Sequence, residues 1–279
     1  MSRRVILTAV ALVAAIGAGA LIVKMQKPPR RSASDTDARI IPASQSKRYL
    51  FQQLQPVKLS NCTLERFGEP HDGGYLVCGN LLSAVTSGYS YGINGFDGWG
   101  CDVSRKLNVP LHQYDCFNLE RPKCEGGNTI FHGECVGTAA GMQEGRPFDT
   151  IAGQVKKNGD DGKTLVMKMD VEGAEWDSLV NAPEEILKRI DQLVVEFHGF
   201  DEGRHILTVL RLKQYFHVVH LHWNNYSCVD GAAPYPAWAY EVLFVNKRIG
   251  VVDEKAKAVL PSPLDAPNAK DQPDCQVPR

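Results

Sequence analysis

Acids and histidines recur at the ends of apolar runs in this chain. Leu165–Met169 (LVMKM) ends in Asp170-Val171-Glu172-Gly173, and a new pattern starts at Ala174. Gln192–Phe197 runs into His198, which puts Glu196 and His198 two residues apart. Phe216–Leu221 leads into His222-Trp223-Asn224, with His220 and His222 at the same spacing. Residues two apart on a strand share a face, so each pair can converge on one ligand. Carboxylates and imidazoles gathered on one rim suit proton transfer and charge stabilisation. Asp170 and Glu172 also have a purely structural reading, because carboxylates favour the N-terminus of a following helix. Asp170, Glu196 and a histidine are compatible with a divalent metal. No spacing demands one, and no metal is assigned.

A second set is built on glycine. Gly92-Ile93-Asn94-Gly95-Phe96-Asp97-Gly98-Trp99-Gly100 holds four glycines in nine residues between a strand pattern and a helix pattern. Such a loop can take positive φ and approach a ligand closely. Its spacing is not G-x-G-x-x-G, so the dinucleotide fingerprint is not met. Asp115 follows the next strand, about twenty residues on, where an acid can accept hydrogen bonds from both hydroxyls of a ribose. An ordinary turn aspartate is the alternative.

These residues need a sheet to hold them. The sequence predicts seven strands, at 88–93, 109–117, 129–136, 164–169, 192–197, 216–221 and 240–245. Helical patterns fall at 102–107, 148–157, 174–180, 183–190 and 204–215. Alternation of this kind implies an α/β fold, a mostly parallel sheet with helices on both faces. In such sheets ligands bind beyond the carboxyl ends of the strands, where the acids, histidines and glycines fall.

The chain has 279 residues, 31 basic and 32 acidic, for a net charge of −1. No Arg/Lys stripe interleaves with aromatics, so a nucleic-acid partner is not expected. Residues 1–4 are short and basic, and Val5–Val23 carries no charge. A helix crosses a bilayer with roughly 20 apolar residues. A signal peptide cut near Ala18-Gly19-Ala20 competes with an uncut anchor. The apolar run continues through Leu21, Ile22 and Val23, which favours the anchor at 5–23 and membrane attachment. Basic residues flank both ends, so charge does not orient it. Residues 24–48 read as a linker, 49–250 as one domain, and the Pro-rich 251–279 as a loose tail that Cys275 could tether.

Eight cysteines form an even set without a C-x-x-C pair. In an anchored chain this favours disulfides and a domain on the non-cytosolic side. Eight reduced, buried thiols are the alternative. Asn61 (NCT) and Asn225 (NYS) are glycosylation sequons.

The segments YSYGINGFDGWGCDVSRKL, LHQYDCF, LVMKMDVEGAEWDSL, LVVEFHGF and AYEVLFVNK resemble the methyltransferase-like protein 24 family, and more distantly the FkbM-type methyltransferases. HDGGYLVC at His71–Cys78 resembles that family's entry segment, and the likeness covers residues 60–248. The resemblance implies a class I, Rossmann-like methyltransferase fold whose seventh strand is antiparallel, with S-adenosylmethionine as cofactor. By position, Gly92, Asn94 and Gly95 would approach its methionine part, Asp115 its ribose, and Glu134–Val136 its adenine. Asp170 would face both cofactor and substrate. Asp170 and His198 are the expected catalytic pair, with Glu172, Glu196 and His222 towards an unidentified methyl acceptor, most simply a hydroxyl. Many class I enzymes carry an acid where this chain has Ser90-Tyr91-Gly92. That departure supports the alternative of a non-catalytic, membrane-tethered binding module. A nucleotide-sugar transferase is a weaker reading, since no D-x-D motif falls within the 49–250 domain.

Overall fold

A computed structural model describes residues 43–276. The expected anchor at 5–23 and the linker as far as residue 42 lie outside the described residues. Among the described residues no helix is long and apolar enough to cross a membrane.

Seven strands form the central sheet: β1 (Ser87–Tyr91), β2 (Pro110–Tyr114), β3 (Asn128–His132), β4 (Leu165–Met169), β5 (Ile190–His198), β6 (Phe216–Trp223) and β7 (Ala239–Asn246). Their order is β6-β7-β5-β4-β1-β2-β3. β4 pairs in parallel with β1 and β5, β1 with β2, and β2 with β3. β7 is antiparallel to both of its neighbours. Among the described residues six α-helices accompany the sheet: α1 (Ala43–Gln53), α2 (Gly98–Leu107), α3 (Ile151–Lys157), α4 (Ala174–Val180), α5 (Glu184–Leu187) and α6 (Gly203–Tyr215).

Strand alternation sorts the core into two layers. Leu165, Met167 and Met169 of β4 join Leu193, Val195 and Phe197 of β5 under Trp176 and Leu179 of α4 and Val209 and Leu212 of α6. Val166 and Val194 face the other way, against Trp99 and Val103 of α2 and a hairpin of Leu64–Phe67 with Tyr75–Cys78. Each fully buried aliphatic or aromatic side chain contributes roughly 1.5–3 kcal/mol relative to exposure. The same parity puts the even-numbered Lys168 and Glu196 on the hairpin side. Met169 lies opposite Val195, so Asp170 follows β4 level with Glu196.

Several boundaries differ from the sequence expectation. α2 starts at Gly98, not Asp102, because the Asp97 side chain accepts from Gly100 N and caps it. Phe148 and Asp149 belong to a strand, Arg146–Asp149, and α3 begins only after its N-cap Thr150. The expected third strand at 129–136 is two pieces, since Cys135–Val136 leaves the central sheet to pair with Phe148 and Asp149. The helix expected over 183–190 is the single turn α5, and Ile190 already belongs to β5. α1 takes up residues 43–48 of the expected linker.

The C-terminal stretch does not hang free. Val252–Lys257 pairs with Val57–Leu59, and Cys275 bonds to Cys228. Asn225 Nδ2 donates to the carbonyls of Ala269, Gln272 and Pro273. Asn225 is therefore buried under the tail, which removes it as a glycosylation site in the folded chain. Asn61 Nδ2 donates to the Ile249 carbonyl, so that amide is also in use.

A buried ionic network lies at the amino end of β1, far along the strands from the carboxyl rim. Asp160 accepts hydrogen bonds from Ser87 Oγ and from Tyr89 Oη (2.8 Å) and pairs with Lys163. Burial opposes its charge, but Lys163, Ser87 and Tyr89 together hold the Asp160 carboxyl below its ordinary range. A carboxyl with a lowered folded pKa stabilises above its unfolded pKa, about 3.9. That contribution is lost as pH falls through the folded value. Asp160→Asn is expected to lower stability at neutral pH by about 1.5–3 kcal/mol, the worth of hydrogen bonds to a charged group. Urea melts should show the gap to wild type closing as pH drops below about 4. A gap that widens in acid would refute this.

Candidate functional site

A cavity of about 720 Å³ opens at the carboxyl ends of β1, β2, β4 and β5. It sits where the strand order reverses between β1 and β4, the place where open α/β sheets bind ligands. One wall is the glycine loop. Gly92 has φ +70°, and a Cβ there would lie 1.5 Å from the Asp170 carbonyl oxygen. Glycine is thus required for the ends of β1 and β4 to touch. Asn94 is also left-handed, at φ 45°. Gly92 and Asn94 line the cavity. Gly95 instead backs the loop against Asn118.

Asp115 ties this loop down. Its Oδ2 accepts from Ile93 N (3.1 Å) and Asn94 N (2.7 Å), and its Oδ1 accepts from Phe117 N and Asn118 N. A carboxylate has about four lone-pair sites, so backbone amides engage all of them. Glu134 lines the cavity too, while bonding Gln154 Nε2 (3.1 Å) and Lys157 Nζ (2.8 Å). Tyr91 and Tyr114 stack nearby at 5.0 Å. The buried Tyr91 hydroxyl has no hydrogen-bond partner among the described residues.

The opposite wall carries the acids and histidine. His198 Nε2 lies 3.8 Å from Asp170 Oδ1 and 3.5 Å from Glu172 Oε2. Its Nδ1 is 3.2 Å from Glu175 Oε1, which also accepts from His198 N (2.8 Å). Burial works against a charged imidazole here. The Glu175 contact, with Glu196 and Asp170, outweighs it and pushes His198 up to about 9. Glu196 is almost fully buried; Asn224 Nδ2 donates to its Oε1 at 2.6 Å and Tyr75 Oη to its Oε2 at 3.2 Å. Burial first, then the like charge of Asp170, raises its pKa. Tyr75 Oη also reaches Asp170 Oδ2 at 3.4 Å.

Asp170 is not a helix cap. The N-cap of α4 is Gly173, at φ 102°, with no side-chain cap bond. Glu172 is left-handed as well, at φ 53°, and its side chain is 87% exposed at the rim.

The structure brings Asp170, Glu172, Glu196 and His198 together but leaves His222 apart. His222 is buried beside Asp265 of the C-terminal stretch, with Nδ1 at 3.9 Å from Oδ2, and does not line the cavity. The tail that was expected to be loose covers that face of β6. Four residues of the site were missed from the sequence. Lys168 Nζ donates to the Gly92 carbonyl at 2.8 Å and sits 3.5 Å from Asp170 Oδ2. A lysine inside an apolar strand, LVMKM, is the signal that pointed to it. Tyr75 and Glu175 carried no such signal, because a hairpin and a helix bring them in, while Asn224 stood at the end of the sixth strand pattern without a role being given to it. A search of protein-family models gives no match to the chain, and no curated protein matches it.

Proposed function

We propose that this domain is an S-adenosylmethionine-dependent methyltransferase acting on an acceptor oxygen. The observation that carries the reading is the cavity at the strand-order reversal, with the glycine loop on one wall and Asp170, Glu196 and His198 on the other. The strand order and the single antiparallel strand agree with the class I methyltransferase fold that the sequence resemblance implies. The cavity volume lies within the roughly 300–1,000 Å³ usual for cofactor sites. Gly92 and Asn94 stand where the methionine part would lie. The cofactor would supply a methyl group on a sulfonium, open to in-line displacement. The task of the chain is then alignment. Asp170 and His198 face the place of the acceptor, with Glu196 behind them. Asp97 reaches Ser90 Oγ at 3.1 Å, so a buried acid does stand beside the first strand, though a loop supplies it.

One residue fits poorly. Asp115 is fully engaged by the chain, and a ribose would have to displace backbone amides from it. This favours, as a second reading, a membrane-tethered module that binds without catalysis. The four disulfides agree with a domain on the non-cytosolic side of an anchor at 5–23.

Calorimetry on the full-length chain in detergent decides between the two. Binding of S-adenosylmethionine or its demethylated product is expected, and Asp115→Ala should weaken it by about 1.5–3 kcal/mol, because the glycine loop loses the charged acceptor that ties down Ile93 N and Asn94 N. A folded wild type that binds neither compound, with or without divalent metal, would favour the module.

A further inference from the structure

We propose that Asp170, Glu196 and His198 form a binding site for one divalent cation of the manganese class. Each residue offers one ligand atom, and these atoms lie within 4.8 Å of one another. Donors that share an ion about 2.1 Å away stand roughly 3–4 Å apart in octahedral geometry, so small side-chain shifts close the site.

The surroundings select the donor atoms. His198 Nδ1 is taken by Glu175, which leaves Nε2 turned to Asp170. A carboxylate behind a ligating imidazole is the usual way its tautomer and ring are held. Asn224 holds Glu196 Oε1 at 2.6 Å, whereas Tyr75 Oη reaches Oε2 only at 3.2 Å, so Oε2 is the more weakly held oxygen. Tyr75 and Lys168 lie on the Oδ2 side of Asp170, so Oδ1 is the one presented. These partners come from the hairpin, β4, α4 and the loop after β6, so the triad is a built site and not a surface run of acids.

Charge points the same way. Asp170, Glu172, Glu175 and Glu196 crowd around a single lysine and a single histidine. A divalent ion would balance the excess of carboxylates. Two carboxylates and one imidazole, with positions open to a cavity, form an oxygen-rich set that suits manganese better than zinc, whose open sites are usually richer in imidazole. The bound ion would also be placed to hold an oxygen of the methyl acceptor. That role rests on the transferase reading, whereas the binding does not.

The test uses MnCl2 alone on the full-length chain, with no S-adenosylmethionine, followed by calorimetry and pulsed electron paramagnetic resonance. One equivalent of Mn²⁺ should bind, with nitrogen modulation from His198. Asp170→Asn, Glu196→Gln and His198→Gln should each weaken binding at least tenfold, and His198→Gln should abolish the modulation. Asp177→Asn, an acid of α4 outside the triad, should leave affinity within twofold. If Glu196→Gln disturbs folding, as a melt would reveal, the Asp170 and His198 variants decide. Absence of saturable binding, absence of nitrogen modulation in wild type, or affinity indifferent to the Asp170 and His198 changes would each overturn the site. Because cofactor is left out, failure here leaves the transferase reading standing, and failure of cofactor binding leaves this site standing.

Discussion

Asp170→Asn is expected to lower methyl-transfer turnover by about two orders of magnitude or more, the usual worth of a positioned acid–base group, and a loss of that order also follows where the residue instead holds an ion against the acceptor oxygen. His198→Gln should do the same. Asparagine caps helices about as well as aspartate, so a capping role would make the first change nearly harmless. The geometry gives no such role, because Gly173 holds the N-cap position and Asp170 lies three residues before it. Asparagine at 170 can still accept from Tyr75, but it loses the charge facing Lys168 and His198. Glutamine at 198 leaves Glu175 buried without its imidazole partner. Some loss of stability is expected there, and a melt measures it separately. The readout is label transferred from S-adenosylmethionine to whichever acceptor an untargeted screen returns. Turnover near wild type in both variants, with only the melting temperature lowered, would make this rim structural.

Reducing the chain is expected to unfold it or to cost most of its stability. All eight cysteines pair, as Cys62–Cys78, Cys101–Cys124, Cys116–Cys135 and Cys228–Cys275. The bonds span 16, 23, 19 and 47 residues. Disulfides closing loops of this size typically contribute about 2–4 kcal/mol each. Together they rival the whole net stability of a domain, about 5–15 kcal/mol. Two of them also hold the site. Cys116–Cys135 joins the segments after β2 and β3 that border the cavity, and Cys62–Cys78 closes the hairpin that carries Tyr75. Thiol counting under denaturing, non-reducing conditions should find no free thiol in protein purified without reductant. Denaturant melts with and without reductant should differ widely. Eight reactive thiols, or melts that coincide, would remove the argument for an oxidising compartment.

Much of the site was legible because a parallel sheet has a simple rule. Asp170, Glu196 and His198 each follow an apolar run, and the carboxyl ends of parallel strands come to one rim. The spacing of Glu196 and His198 already implied a shared face. The same rule misled at His222. It ends a strand on the same rim, but the C-terminal stretch lies over it with Asp265. Asp115 was placed at the right strand end, yet its role changed, because the folded glycine loop presents its own amides to that carboxylate.

The sequence by itself determined the alternation of seven strands with helices and the rim on which the ionisable groups collect. These depend on local periodicity and on backbone conformation, which neighbouring residues dictate. Tertiary structure alone decided which groups touch. Tyr75 reaches Asp170 across 95 residues of chain, and Cys78 N meets the Gln192 side chain across 114. It also decided the four cysteine pairings and the fate of the tail, whose strand at Val252–Lys257 finds its partner at Val57–Leu59. Such contacts are set by how layers pack over one another, and no spacing along the chain encodes which distant segment will cover a given face.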